Sequence, residues 1–315
     1  MNPNPAWSPV RVVVAGPAYC DLLFGGLERL PRLGEERFAG RFLIAAGGSA
    51  ITAIALRRLG HPVALAAVVG DDALGRIIRE RLVAEGVDVS WLHVAPGTAT
   101  PVTAVLSTGA DRAFVTYLED AAVHGAELAP ALKAFGARHL HVAGFPVALA
   151  EPDVVATAHA AGATVSFDPG WDAQALAAAR VQRVALEADV LLPNRLEAEL
   201  LLASGPDDEA PLTAAAAAAR LAAARGGRTT VVKDGPAGAH GVDPQGPTHA
   251  TAPAVDALDP TGAGDVFDAG FLDAWWADAP LAEALRRGAV CGARATTAYG
   301  GATAAPTRAE LEATP

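Results

Sequence analysis

Seven residues near the C-terminus have the make-up of a phosphoryl-transfer centre. Asp259-Pro260-Thr261-Gly262-Ala263-Gly264-Asp265 sets three residues with little or no side chain between carboxylates. The peptide N–H groups of Gly262, Ala263 and Gly264 can converge on one point. The run that follows, Val266 to Trp276, reads as a helix whose dipole adds positive potential at its entrance. Such a place holds an anion, most naturally a phosphate. Asp265 at its rim is a poor choice for binding alone, because two negative charges repel. It fits a site where a hydroxyl must lose its proton beside the phosphoryl group it attacks. For Gly-x-Gly-Asp alone the plainer reading is a turn with Asp265 as helix N-cap.

Other candidate residues lie at the ends of apolar runs. Asp21 follows the β-branched run Arg11–Gly16, at the carboxyl end of a first strand, where open α/β sheets bind ligands. The alternative for Asp21 is a solvated turn. Gly47-Gly48 opens an amphipathic helix that carries Thr52 and closes at Gly60. Asp168 ends the strand Thr164–Asp168. Asn194 and Glu197 follow Ala188–Pro193 with the spacing of a capping box, and the same pair is suited to a phosphate–metal environment. Both uses stay open. Thr229–Gly238 places Lys233, Gly235 and Gly238 in a glycine-bearing loop after a strand.

The heptapeptide closely resembles the C-terminal signature of the ribokinase, or PfkB-type, family of carbohydrate and nucleoside kinases, with Pro260 in place of the usual Thr or Ser. The Gly47-Gly48 segment resembles the family's N-terminal signature, Asn194-x-x-Glu197 its Asn-x-x-Glu motif and Thr229–Gly238 its nucleotide loop, all in the family's order from about residue 10 onward. The resemblance implies catalysis by Asp265 with the amides of Gly262, Ala263 and Gly264 as anion hole. It implies acceptor binding by Asp21, Gly47, Gly48, Thr52 and Asp265, and ATP binding by Asn194, Lys233, Gly235, Gly238, Gly262 and Gly264. Glu197 would serve Mg²⁺, directly or through water. Asp259 and Thr261, with the turn at Gly300-Gly301, would hold a monovalent cation such as K⁺, as in some relatives. Thr52 stands where the family commonly has Asn, which puts the acceptor's identity in doubt and leaves the chemistry intact. A homodimer through the lid is a further implication.

The expected architecture is a three-layer α/β fold: a mostly parallel sheet with helices on both faces and a small β-sheet lid. One domain spans 11–315 after a flexible lead-in at 1–10, with lid strands inserted at about 33–44 and 102–117. Asp71 or Asp72 caps the helix that runs to about Ala84, and Thr213–Arg225 is an Ala-rich surface helix. His139 and His141 share one face of a strand and, with no third ligand nearby, read as core histidines.

Composition narrows the function classes. A net charge of −11 argues against a nucleic-acid partner. No run of about 18 apolar residues marks a membrane span, no signal peptide is evident, and two cysteines suit a reduced cytoplasm. No P-loop and no dinucleotide fingerprint is present. The leading expectation is an ATP-dependent sugar kinase with Mg²⁺. The alternatives are a nucleoside kinase, in which Phe24, Phe42, Phe114 or Phe145 stacks on a base, and a non-catalytic ligand-binding regulator.

Overall fold

The computed structural model describes residues 7–108, 112–119, 125–203 and 211–314, and for 125–127 the backbone only. In chain order its strands are Val12–Ala15 (β1), Ala18–Leu27 (β2), Arg41–Gly48 (β3), Val63–Gly70 (β4), Leu92–Ala95 (β5), Val102–Thr108 (β6), Arg112–Tyr117 (β7), His139–Ala143 (β8), Thr164–Asp168 (β9), Val190–Leu191 (β10), Thr230–Lys233 (β11), Ala239–Asp243 (β12) and Gly246–Ala250 (β13). Nine of them form one sheet in the order β13-β12-β11-β10-β9-β8-β1-β4-β5, antiparallel only at β12 and β13.

The central strands β1 and β4 are buried along their whole length, the pattern of parallel strands covered on both faces. Val13, Leu140 and Phe167 pack on one side against Leu132 and Leu221. Val14 and Leu65 pack on the other against Ile54 and Val266. Each such aliphatic side chain contributes about 1.5–3 kcal/mol on burial. The three-layer arrangement is therefore as the sequence indicates. β1 lies between β8 and β4, so strand order reverses beside it, and its carboxyl end opens onto the crevice where ligands bind in such sheets.

From that end the chain enters a second sheet, β3-β2-β6-β7. Here the structure departs from the sequence reading. Asp21 lies inside a separate ten-residue strand, β2, paired with Ala45 of β3 and Thr103 of β6, rather than just past the end of the first strand. Residues 33–40 form no strand, and the lid strand expected there begins at Arg41. β2 escaped notice because both of its faces are largely apolar and Gly25-Gly26 interrupts it, so no period-2 signal stands out. The hairpin of β6 and β7 is as expected, although its tip at 109–111 lies outside the described residues.

The lead-in also differs from expectation from Trp7 onward. Trp7 Nε1 donates to Asp273 Oδ1 at 3.2 Å, and Arg308 stacks on its ring 3.9 Å from the centroid. The buried Asp273 carboxylate also accepts from His61 Nε2 and from Arg287, each at 3.0 Å. His61 Nδ1 accepts the Val10 N–H, which fixes its tautomer with the proton on Nε2. Asp72 is the cap of its helix, accepting from the Gly75 N–H at 2.8 Å.

Candidate active site

The helix Ala263–Trp276 starts immediately after Gly262, which is left-handed at φ 72°. A side chain on Gly262 would meet Ile51 Cδ1 at 2.8 Å and the Gly301 Cα at 2.9 Å, so both conformation and space require glycine. Val266 N–H makes the first helical bond, to the Gly262 carbonyl at 3.0 Å. Ala263 N–H makes only a long turn bond of 3.3 Å to Pro260 O. Among the described residues the amides of Gly262 and Gly264 donate to no backbone carbonyl. Asp265 sits half-buried in the first turn, beside these amides.

Asp265 is held by Thr52. The Thr52 hydroxyl, fully buried, donates to Asp265 Oδ1 at 3.3 Å. Burial first, and then the nearby Asp168 charge, push the Asp265 carboxyl up to about 7, against the opposing pull of Lys233 and the Thr52 bond. A carboxylate that ionises near neutrality is well matched to accepting a proton from an alcohol.

Asp21 faces the same crevice from the lid sheet. It is buried, and a Cβ on Gly47 would stand 2.2 Å from both of its oxygens. Gly47 thus makes room for this carboxylate. Gly48, at φ 59°, turns the chain from β3 into the helix Ser49–Arg58 that carries Thr52. Burial, then the charges of Asp265 and Asp259, raise the Asp21 carboxyl to about 8. Asp259 is fully buried; its carboxylate accepts from the Thr261 N–H at 3.1 Å, the Thr261 hydroxyl at 2.7 Å and the Gly300 N–H at 3.0 Å. It ties the glycine stretch to the final turn.

Asn194 and Glu197 form the capping box: Asn194 Oδ1 accepts the Glu197 N–H at 3.0 Å, and Glu197 Oε2 accepts the Asn194 N–H at 2.8 Å. Glu197 is buried, and that burial followed by the Asp168 charge pushes it up to about 8. A β-bridge lays Asn194 against Lys233, which brings the two loops together.

Lys233 is spent differently from a free charge at a nucleotide. Its Nζ donates to Asp168 at 2.9 Å and to Asp268 at 3.1 Å, all three groups being largely buried. Burial disfavours the ammonium, yet the two carboxylates hold it protonated. Asp168 is kept below the usual carboxylate range by Lys233 in spite of burial, while burial raises Asp268. The Nζ lies 3.4 Å from where a Cβ of Gly264 would stand, so the ion pair underlies the anion hole. Sequence reasoning missed Asp268. Its signal was a carboxylate three positions after Asp265, one helical turn on, in a mostly apolar run.

Other expectations sort plainly. Gly235 begins a 3₁₀ turn, and Gly238, at φ 100°, has no room for a side chain because Ala250 O would lie 2.0 Å away. His139 bonds Thr164 and Ser166 at 2.7 and 2.8 Å, and His141 bonds Ser166 at 2.8 Å; burial lowers both, His141 to about 4. No group of three metal-ligating side chains occurs among the described residues. Strand register puts Phe24 and Phe42 on the lid face opposite Asp21, their rings 5.1 Å apart, while Phe114 shares the Asp21 face.

A parallel sheet with a crevice at its switch point, a small sheet beside it and a carboxylate at a glycine-lined helix entrance define the class. The model of the pfkB family carbohydrate kinases matches residues 33–308. A Halopiger xanaduensis protein named ATP-dependent ribose-1-phosphate kinase is 32% identical over 306 residues, 95% of each chain. A Klebsiella pneumoniae fructokinase is 33% identical, covering 96% of this chain and 98% of that one. Among solved structures, an E. coli protein provisionally described as Ribokinase II, in complex with ATP and Mg²⁺, superposes with a TM-score of 0.79 at 24% identity, over 97% of this chain and 98% of that one. The chain belongs to the pfkB family of carbohydrate kinases, ATP-dependent phosphotransferases.

Proposed function

We propose that this chain transfers the terminal phosphoryl group of ATP to a hydroxyl of a small sugar, with Asp265 as general base. The observation that carries this reading is Asp265 itself, half-buried beside the uncommitted Gly262 and Gly264 amides, held by Thr52 and raised to about 7. The acceptor hydroxyl gives its proton to Asp265 while its oxygen bonds to the terminal phosphorus, and ADP leaves. The amides of Gly262, Ala263 and Gly264 neutralise charge on the phosphoryl oxygens, helped by the helix dipole. Once protonated, Asp265 no longer repels the product phosphate. Asp21 accepts hydrogen bonds from acceptor hydroxyls, in space that Gly47 and Gly48 leave open.

Asn194, Gly235 and Gly238 form the ATP side of the crevice, with Lys233 supporting Gly264 from beneath through its ion pairs. Glu197 fits Mg²⁺ on its donor chemistry: a buried carboxylate without an ion-pair partner of its own among the described residues. Glu197 would hold Mg²⁺, directly or through water, and the ion would supply positive charge to offset that of the ATP phosphates. Asp259 is likewise buried without a cationic side chain, which supports a monovalent cation beside the 296–300 turn. The two cysteines are free thiols, in keeping with a cytoplasmic enzyme. The outer lid face exposes Phe42, Ile44, Val115 and Tyr117, which supports pairing of two chains through the lid; a solution mass of one chain would exclude it.

The test of mechanism is Asp265→Asn. Phosphorylation is expected to fall by roughly 10²–10⁴-fold, with ATP and acceptor dissociation constants changed by no more than a few-fold. A variant that keeps more than a tenth of the rate would remove Asp265 from the role of base.

A further inference from the structure

We propose that Tyr299 is a positioning residue: its ring, set against Gly25 of the lid, carries the lid's position through Gly300 and Asp259 to the anion hole at Gly262, Ala263 and Gly264. The inference rests on the reading of that helix entrance as the phosphate site and of the small sheet as a lid. A series of close approaches, each at a glycine, joins the two.

Gly25 lies within β2, four residues beyond Asp21 and on the same face of the strand. It is buried, and its backbone is not left-handed, so conformation does not call for glycine there. Glycine inside a strand weakens it and marks a place where something must come close. Here that is Tyr299: a Cβ at Gly25 would stand 2.7 Å from Cε1 and 3.1 Å from Cζ of its ring. Arg41, the residue paired with Gly25 in β3, holds its guanidinium 5.4 Å from the centroid of the same ring, within cation–π range. The ring is seated on two lid strands at once.

The next two residues continue the contact toward the glycine stretch. A Cβ at Gly300 would meet Leu43 Cδ2 at 2.5 Å and Ala45 Cβ at 3.5 Å, and Ala45 is the residue paired with Asp21. The Gly300 N–H donates to Asp259 Oδ2 at 3.0 Å. Asp259 Oδ1 accepts in turn from the N–H and the hydroxyl of Thr261, the residue before Gly262. The Gly301 Cα lies 2.9 Å from where a Cβ of Gly262 would stand. Residues 299–301 therefore fill the space between the lid and the glycine stretch with no slack on either side.

Close-packed contacts pass a displacement on rather than absorb it. A lid that shifts takes residues 299–301 with it, and through them the Asp259 carboxylate and the Gly262 turn. Misplacing a catalytic group by about 1 Å costs up to about a hundredfold in rate. The amides thus reach working geometry when the lid lies over the crevice, which is also when water is kept out. That coupling favours transfer to an acceptor over hydrolysis of ATP.

Tyr299→Ala removes the ring and leaves every group of the proposed chemistry in place. With Mg²⁺-ATP and D-fructose, D-ribose or adenosine as acceptor, kcat is expected to fall by about ten- to a hundredfold, with the acceptor KM changed by no more than about threefold. ATP hydrolysed per phosphoryl group transferred should rise by about tenfold. Tyr299→Phe, which keeps the ring, should restore all three. Gly25→Ala, made from the lid side, should reproduce the loss by itself and add nothing once the ring is gone. Hydrogen exchange of the lid amides at 41–48 reads the coupling without turnover: Mg²⁺-AMP-PNP is expected to slow it in the unsubstituted protein and to leave it unchanged in Tyr299→Ala. A Tyr299→Ala kcat within about twofold of the original, a loss confined to the acceptor KM, or an exchange response that is equal in both proteins or absent from both would overturn the inference. If none of the three acceptors is phosphorylated by the unsubstituted protein, the kinase reading fails for them, and the exchange comparison still decides the coupling.

Discussion

Replacing Thr52 by Val removes one hydrogen bond to the proposed base and nearly nothing else. Thr52 is fully buried, and Val copies its shape without the hydroxyl, so the helix Ser49–Arg58 should keep its packing. A well-formed hydrogen bond to a charged group is worth about 1.5–3 kcal/mol. At 3.3 Å this one is longer than the usual range for O–H donors, so about 1 kcal/mol is the appropriate figure. The bond favours the ionised form, so its loss raises the pH at which Asp265 ionises, by about 0.7 of a pH unit. Starting from about 7, the acid limb of kcat/KM should move to between 7.5 and 8. The variant then loses roughly fourfold at pH 6.5 and almost nothing at pH 9. The assay is initial-rate phosphorylation across pH 6–9 at saturating Mg²⁺-ATP and low acceptor. A uniform loss at every pH would mean that Thr52 binds the acceptor instead. A limb that moves down, or stays still, would refute the electrostatic reasoning about Asp265.

Gly47→Ala should be tolerated by the fold but not by the acceptor site, since its Cβ would stand 2.2 Å from the Asp21 oxygens and force that carboxylate aside; the acceptor KM is expected to rise at least about tenfold with ATP affinity unchanged, and an unaltered KM would separate Asp21 from acceptor binding. The ligand-free protein should also lose stability between pH 6.5 and 8.5. Asp21, Asp265 and Glu197, raised to about 8, 7 and 8, keep protons in the folded state that the unfolded chain has already released, so stability falls as pH rises through those values. The buried histidines act in the opposite sense, but only below about 6.5. Tm should therefore drop by a few degrees over this window, and Asp21→Asn should flatten the drop; a Tm that rises with pH here would contradict the burial assigned to these carboxylates.

The sequence by itself determined the layered α/β fold and the chemistry of the helix entrance. Both are local in origin. Short β-branched runs bury both faces, and three consecutive residues that lack bulk leave room for a ligand to approach their amides. The capping box of Asn194 and Glu197 was legible for the same reason, because three residues of spacing suffice to build it. What depends on partners distant in the chain was decided only by tertiary structure. Asp21 read as a residue just past the first strand, and only the pairing of β3 and β6 on either side puts it inside a strand of its own. Thr52 stood out only as a missing Asn, whereas folding brings it, from 213 residues away, to hold Asp265. Lys233 read as a charge for ATP, and the folded chain commits it to Asp168 and Asp268. The physical reason is common to all three. A buried polar group must find its partner somewhere, and that partner is chosen by which strands and helices pack together, which no short window of sequence contains.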